Sequence, residues 1–206
     1  QKTVDYLTIH DYLWRWDTDW FWCSKHFFVQ HPVVRWLWGR KRLCSRVYWQ
    51  LRNCFNRSRI AQRVARMLTG RQEAVIQDVE IPIEHAAEFA RFFNREIGIT
   101  PVWICPVMAY DPSASYPLYP MTPGKLYVNF GFWDAVNTDH GDGYFDKKVE
   151  AKVRELQGKK SLYSNAYYSR EEFWQLYNEP AYRRLKTRYD PGAKLKDLYE
   201  KCVLKQ

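Results

Sequence analysis

The feature that most constrains the fold is a change of apolar period that recurs between residues 74 and 168. "AVIQDVEIP" (74–82) is a β-branched run stopped by Pro82, and it reads as a strand. In "IEHAAEFARFFNREIG", residues Ile83, Ala87, Ala90, Phe93 and Ile97 recur at helical spacing, and Gly98 suits a C-terminal cap. "TPVWICPVM" (100–108) and "KLYVNFGFW" (125–133) read as the second and third strands. "GYFDKKVEAKVRELQGKK" places Phe145, Val149, Val153 and Leu156 on one helical stripe, and "SLYSNAYY" reads as a fourth strand. The order β-α-β-β-α-β predicts a ferredoxin-like α+β arrangement, an antiparallel sheet with two helices on one face. The Pro-, Ser- and Tyr-rich loop from Tyr110 to Gly124 is expected to lie over the surface or over a pocket.

The flanks are helical in pattern. After the fourth strand, Ser169 and Glu172 form a capping box for "REEFWQLYN"; "AYRRLKTRY" and "GAKLKDLYEKCV" predict two further helices, the last opening at Asp190-Pro191. Before the first strand, "RSRIAQRVARMLTG" is the clearest helix, with Ile60, Val64 and Met67 or Leu68 in register and Gly70 to end it. The 206 residues therefore divide into a helical Trp/Arg-rich segment (1–72), an α+β sheet region (73–168) and C-terminal helices (169–206).

Composition bears on the partners. The formal net charge is +9, yet between Asp19 and Glu73 there is no acidic residue while Lys25, Lys41 and ten arginines fall there. Seven of the ten tryptophans lie in the first 50 residues, as in "YLWRWDTDWFW" and "RWLWGRKR". Interleaved Trp and Arg suit a boundary between apolar matter and phosphate, such as a membrane surface. A solvated face, the lid of an apolar substrate tunnel and a nucleic-acid surface are the alternatives, but no zinc-finger, RNA-recognition or helix-turn-helix signature supports nucleic acid as a partner. No stretch approaches the roughly 20 apolar residues of a membrane span. Cys23, Cys44, Cys54, Cys105 and Cys202 lack ligand spacing and predict free thiols in a reducing, intracellular setting. The carboxylates of "DHGDGYFD" depart from calcium-loop spacing, so no metal site is expected.

The candidate site comes from strand alternation. On a strand over 161–168, Tyr163, Asn165 and Tyr167 share one face, and Leu162, Ser164, Ala166 and Tyr168 the other. Strand three sets Tyr127, Asn129 and Gly131 against Val128, Phe130 and Phe132, and Trp103 and Cys105 can line the same surface if the register permits. Such a face calls for a cover: solvent, another chain or a flat ligand, the last being what a planar cofactor and its substrate would provide. Half-buried tyrosines with ordinary hydrogen bonds would give the same pattern.

"VIQDVEIPIEHA", "PVWICPV", "KLYVNFGFW" and "LYSNAYYSREEFWQLYN" together resemble the C-terminal half of the 24-dehydrocholesterol reductase (Diminuto/seladin, delta-24 sterol reductase) family of vanillyl-alcohol-oxidase-like flavoproteins. The likeness runs in order from "DYLTIHDYLWRW" to "DLYEKC". It implies a substrate or cap domain whose sheet stands over the flavin of an FAD bound mainly by a separate N-terminal domain, with NADPH as electron donor and a lipid or sterol as substrate. This chain starts at Gln1 and shows no glycine-rich phosphate loop, so it is expected to be the C-terminal part of a longer flavoenzyme, inactive by itself and peripheral to a membrane. Strand geometry and the resemblance together assign catalysis to Tyr163, Asn165 and Tyr167, and the substrate or flavin pocket to Trp103, Cys105, Tyr127, Asn129, His10 and Arg15. An oxidase of a lipid-linked or sugar alcohol and a non-catalytic basic lipid- or nucleic-acid-binding module remain as other readings.

Overall fold

The computed structural model describes residues 4, 6–13, 29 and 31–205, which fall in two compact units, Gln1–Gly70 and Arg71–Gln206. Arg15 and Cys23, named above, lie outside the described residues.

The first unit contains helices α1 (Ile9–Leu13), α2 (Pro32–Trp38), α3 (Ser45–Arg57) and α4 (Arg59–Thr69). Pro32 at the start of α2 sets φ where no helical N–H is required, and Gly39 ends that helix at φ 78°. Its core is small: Val29 and Leu43 are buried, with Val34, Trp38, Val47, Tyr48 and Leu51 packed against them.

In the second unit, strands β1 (Gln72–Pro82), β2 (Trp103–Val107), β3 (Tyr127–Asn137) and β4 (Lys159–Lys160) form one antiparallel sheet in the order β2-β3-β1-β4. Helices α5 (Ala86–Glu96) and α6 (Tyr144–Glu155) cover one face, which is the ferredoxin-like order expected from the sequence. Alternation decides what is buried: Val75, Val79 and Ile81 of β1 and Val128, Phe130 and Phe132 of β3 meet Phe89, Phe93 and Ile97 of α5 and Val149, Val153 and Leu156 of α6. Gly98 closes α5 at φ 71° with its N–H bonded to the Phe93 carbonyl, as a left-handed cap requires.

This covered face also buries charge. Lys160 Nζ lies 2.5 Å from Glu150 Oε1 and 2.5 Å from the carbonyl of Asn165. Gln77 donates to Asp146 Oδ1 at 2.5 Å, and Glu73 accepts from the N–H groups of Phe145 and Asp146 at the start of α6.

Two predicted elements differ. The fourth strand is two residues long rather than spanning 161–168, because the following backbone finds its partners elsewhere: the Asn165 carbonyl takes Lys160 and the Tyr167 N–H takes Glu150. The helix expected from Pro191 starts only near Leu198, since the Asp190 carboxylate accepts the N–H groups of Lys194 and Leu195 and holds the chain in a turn. Asp197 and Glu200 then cap the short C-terminal turn reciprocally.

Helices α7 (Arg170–Leu176) and α8 (Glu179–Tyr189) complete the unit. Ser169 and Glu172 make the expected capping box on α7. Phe173 packs among Trp174, Tyr177 and Tyr199 in a second core with Ala166 and Tyr168, and the Tyr177 hydroxyl donates to the Lys160 carbonyl.

Candidate functional site

The sheet face opposite α5 and α6 is laid out by register. Trp103, Gly131 and Asp78 stand in one row across β2, β3 and β1, and Cys105, Asn129 and Glu80 in the next. Tyr127 pairs with Pro82 and Val107 in the third row. The four strand residues named from sequence as pocket-lining thus come together: Trp103, 59% exposed; Cys105, half-buried; Asn129; and Tyr127, which is buried with its hydroxyl on Thr122.

The long loop between β2 and β3 reaches this face. Its Tyr119 hydroxyl donates a short hydrogen bond to Glu80 Oε2, while Asn129 Nδ2 donates to Glu80 Oε1 at 2.8 Å. Tyr163, just beyond β4, accepts from Trp133 Nε1 at 2.9 Å and sits beside Asp78, whose Oδ1 is buried without a hydrogen-bond partner. Gly131 is required here, because a Cβ would come within 2.3 Å of Asp78 Oδ1 and 2.6 Å of the Trp133 ring.

Electrostatically the face favours bound protons. Burial pushes the Asp78 carboxyl up despite its bond to Tyr163. Burial does the same to Glu80, assisted by the charge of Asp78 and opposed by Tyr119 and Asn129. Burial and the Asp78 charge raise the Tyr163 phenol to about 12, and burial with Glu80 raises Tyr119. Two carboxyls two residues apart, each in contact with a phenol, form a set that can hold a proton and pass it to a group lying on the sheet.

Two of the remaining candidates, Asn165 and Tyr167, leave this face. Tyr163 and Tyr167 do not share a face: without a strand over 161–168 the alternation fails, and Tyr167 packs on the α6 side, its ring in contact distance of Gly143 and 5.1 Å from Lys147 Nζ. Burial, then the charges of Asp142 and Asp146, raise Tyr167 to about 12. Asn165 contributes its carbonyl to the buried Lys160. His10 lies exposed in α1, in the first unit, 3.7 Å from Asp11.

Sequence reasoning missed Asp78, Glu80 and Tyr119. For the two acids a signal was present: in "AVIQDVEIP" they alternate with Val75, Val79 and Ile81, so they fall on the face turned away from the helices. Tyr119 lies in an irregular loop whose path no periodicity reveals.

No protein-family model and no solved structure matches the chain. Among curated proteins it is similar to the Delta(24)-sterol reductases of Rattus norvegicus and Homo sapiens, 23% identical to each over 205 residues, which is 98% of this chain and 38% of theirs. A Delta(24)-sterol reductase homolog of Caenorhabditis elegans is 27% identical over 112 residues, 52% of this chain and 21% of that protein. The chain therefore spans well under half the length of these relatives. The likeness runs along the whole chain and points to a family of sterol-reducing oxidoreductases.

Proposed function

We propose that this chain is the substrate-binding C-terminal part of an FAD-dependent oxidoreductase that reduces a carbon–carbon double bond of a sterol or related lipid, with NADPH as the electron source. The observation that carries the reading is the similarity to Delta(24)-sterol reductases over 98% of the chain. The geometry supports it, since the open sheet face carries a proton-holding cluster of the kind that alkene reduction requires.

The residues present fit one side of a flavin and not its dinucleotide tail. Gly131 lets the Asp78 carboxylate and the Trp133 ring close over the middle of the face, Trp103 in the same row is an exposed flat ring, and Cys105 and Asn129 continue the floor. In this reading the rest of the FAD is held by a separate N-terminal domain of the same enzyme, the partner of this one. When bound, the flavin supplies hydride equivalents.

This chain's own residues hold and deliver the proton. Tyr163 is the donor, as a phenol raised to about 12 that remains protonated until the substrate carbon takes its proton. Trp133 Nε1 steadies the oxygen left behind, and the Asp78 carboxylate beside the phenol is placed to relay a solvent proton back to it. Glu80, whose pKa burial raises, is held on the same face by hydrogen bonds from Asn129 and Tyr119.

The test uses the natural full-length protein carrying this chain. An absorption band at roughly 450 nm, bleached by NADPH and restored by a Δ24-unsaturated sterol, is the expected result. Absence of flavin, or bleaching that no sterol reverses, would sink the reading.

A further inference from the structure

The first unit displays apolar side chains that its core does not use. In α4, Ile60, Val64 and Met67 follow one another at i, i+4 and i+7 and so form one stripe, and they are 76%, 49% and 83% exposed. The exposed Arg59 and Arg63 belong to the same helix, Arg63 next to the Met67 edge of the stripe by helical angle. Helix α2 repeats the composition, with Val33, Trp36 and Leu37 exposed, and Trp49 of α3 is 57% exposed. Every charged residue from Trp20 to Gln72 is basic.

A solvated helix gains nothing by turning Ile60 and Met67 to water. A nucleic acid would use the arginines but leave the aliphatic stripe idle, because phosphate contacts need no Ile, Val or Met. An anionic bilayer uses both: the stripe enters the boundary between headgroups and acyl chains while guanidinium groups stay with lipid phosphates. The absence of any acidic side chain in this stretch removes the repulsion that a negative surface would otherwise meet.

We propose that α4 is an interfacial membrane-binding helix, seating Ile60, Val64 and Met67 in an anionic lipid surface with Arg59 and Arg63 on its phosphates. The occupant is the bilayer surface itself, and binding is independent of the chemistry on the sheet.

The test is sedimentation of the 206-residue chain with vesicles of phosphatidylcholine alone or mixed with phosphatidylserine. The chain should partition onto the mixed vesicles and detach as salt is raised. Arg59→Gln with Arg63→Gln should weaken binding about 30-fold, and Ile60→Ser with Met67→Ser about tenfold or more. A Met67→Trp variant, read as the bromine-quenched fluorescence it adds over the parent chain with its ten tryptophans, reports insertion without depending on the stability of either double variant. No partition onto mixed vesicles, or no quenching, overturns the proposal. So does binding to heparin that matches vesicle binding and ignores the Ile60/Met67 changes, since that is the behaviour of a general polyanion site.

Discussion

The two faces of the sheet spend their polar groups differently. Toward α5 and α6, Lys160, Glu150, Gln77 and Asp146 are engaged with one another in the interior, where an unmatched charge would be costly. On the opposite face, Asp78, Glu80, Asn129, Tyr119 and Tyr163 are also hydrogen-bonded or in contact, but the surface above them stays open beside the exposed Trp103. Burial raises the carboxyls of Asp146 and Glu150 on the one side and of Asp78 and Glu80 on the other. A raised carboxyl pKa is therefore no mark of function by itself in this protein; access distinguishes the two sets.

The comparison can be broken by substitution. The largest effect is expected from Lys160→Met, which leaves Glu150 buried without its cation and should cost about 3–5 kcal/mol in urea unfolding. Adding Glu150→Leu should restore only part of that loss, because the Tyr167 N–H and the Asn165 carbonyl then lack their partners. Tyr163→Phe should lower turnover of the flavin-loaded full-length enzyme about 100-fold, near 2.7 kcal/mol of barrier. The same change should leave unfolding within about 0.5 kcal/mol. Unchanged turnover would remove Tyr163 from the proton path.

Smaller effects follow from titration. Burial pushes Asp146 up to about 6, so the native state binds that proton more tightly than the unfolded chain does. Its contribution falls as pH rises from about 4 to 6 and stays lost above that. Asp146→Asn, which keeps an acceptor for Gln77, should flatten this fall and raise stability at neutral pH by about 1–2 kcal/mol. Asp190 and Glu96 act in the opposite sense: lysine partners hold each at about 2, so what they contribute is present above pH 4 and disappears as pH drops toward 2. Glu80→Gln should change stability least, by under about 0.5 kcal/mol, if the open face is built for chemistry; a loss as large as that of Lys160→Met would make the two faces alike.

The α+β class and the element order were legible because each strand and helix carries its own period. β1 alternates, α5 and α6 show stripes, and Pro82 and Gly98 punctuate them. Trp103, Cys105 and Asn129 fell on one face as the register places them, since alternation inside a regular strand is a local property. The segment 161–168 misled for the converse reason. Its alternating tyrosines look like a strand, but two side chains outside the segment, Lys160 against Asn165 and Glu150 of α6 against Tyr167, draw its backbone away from β1. Asp78 and Glu80 were readable in principle from the same alternation that identified the core.

The sheet order carries a kinetic consequence. Its two central strands are not chain neighbours: Pro82 meets Tyr127 and Gln72 meets Asn137, with α5, β2 and the long loop lying between. No local hairpin can nucleate that pairing, and chains dominated by distant contacts fold slowly because loop closure precedes any reward. During synthesis β1 must therefore wait, with Val75, Val79 and Ile81 uncovered, until Asn137 has left the ribosome. Slowing translation just after β1 should lengthen that exposed interval and increase aggregation, whereas a pause after β3 should be harmless.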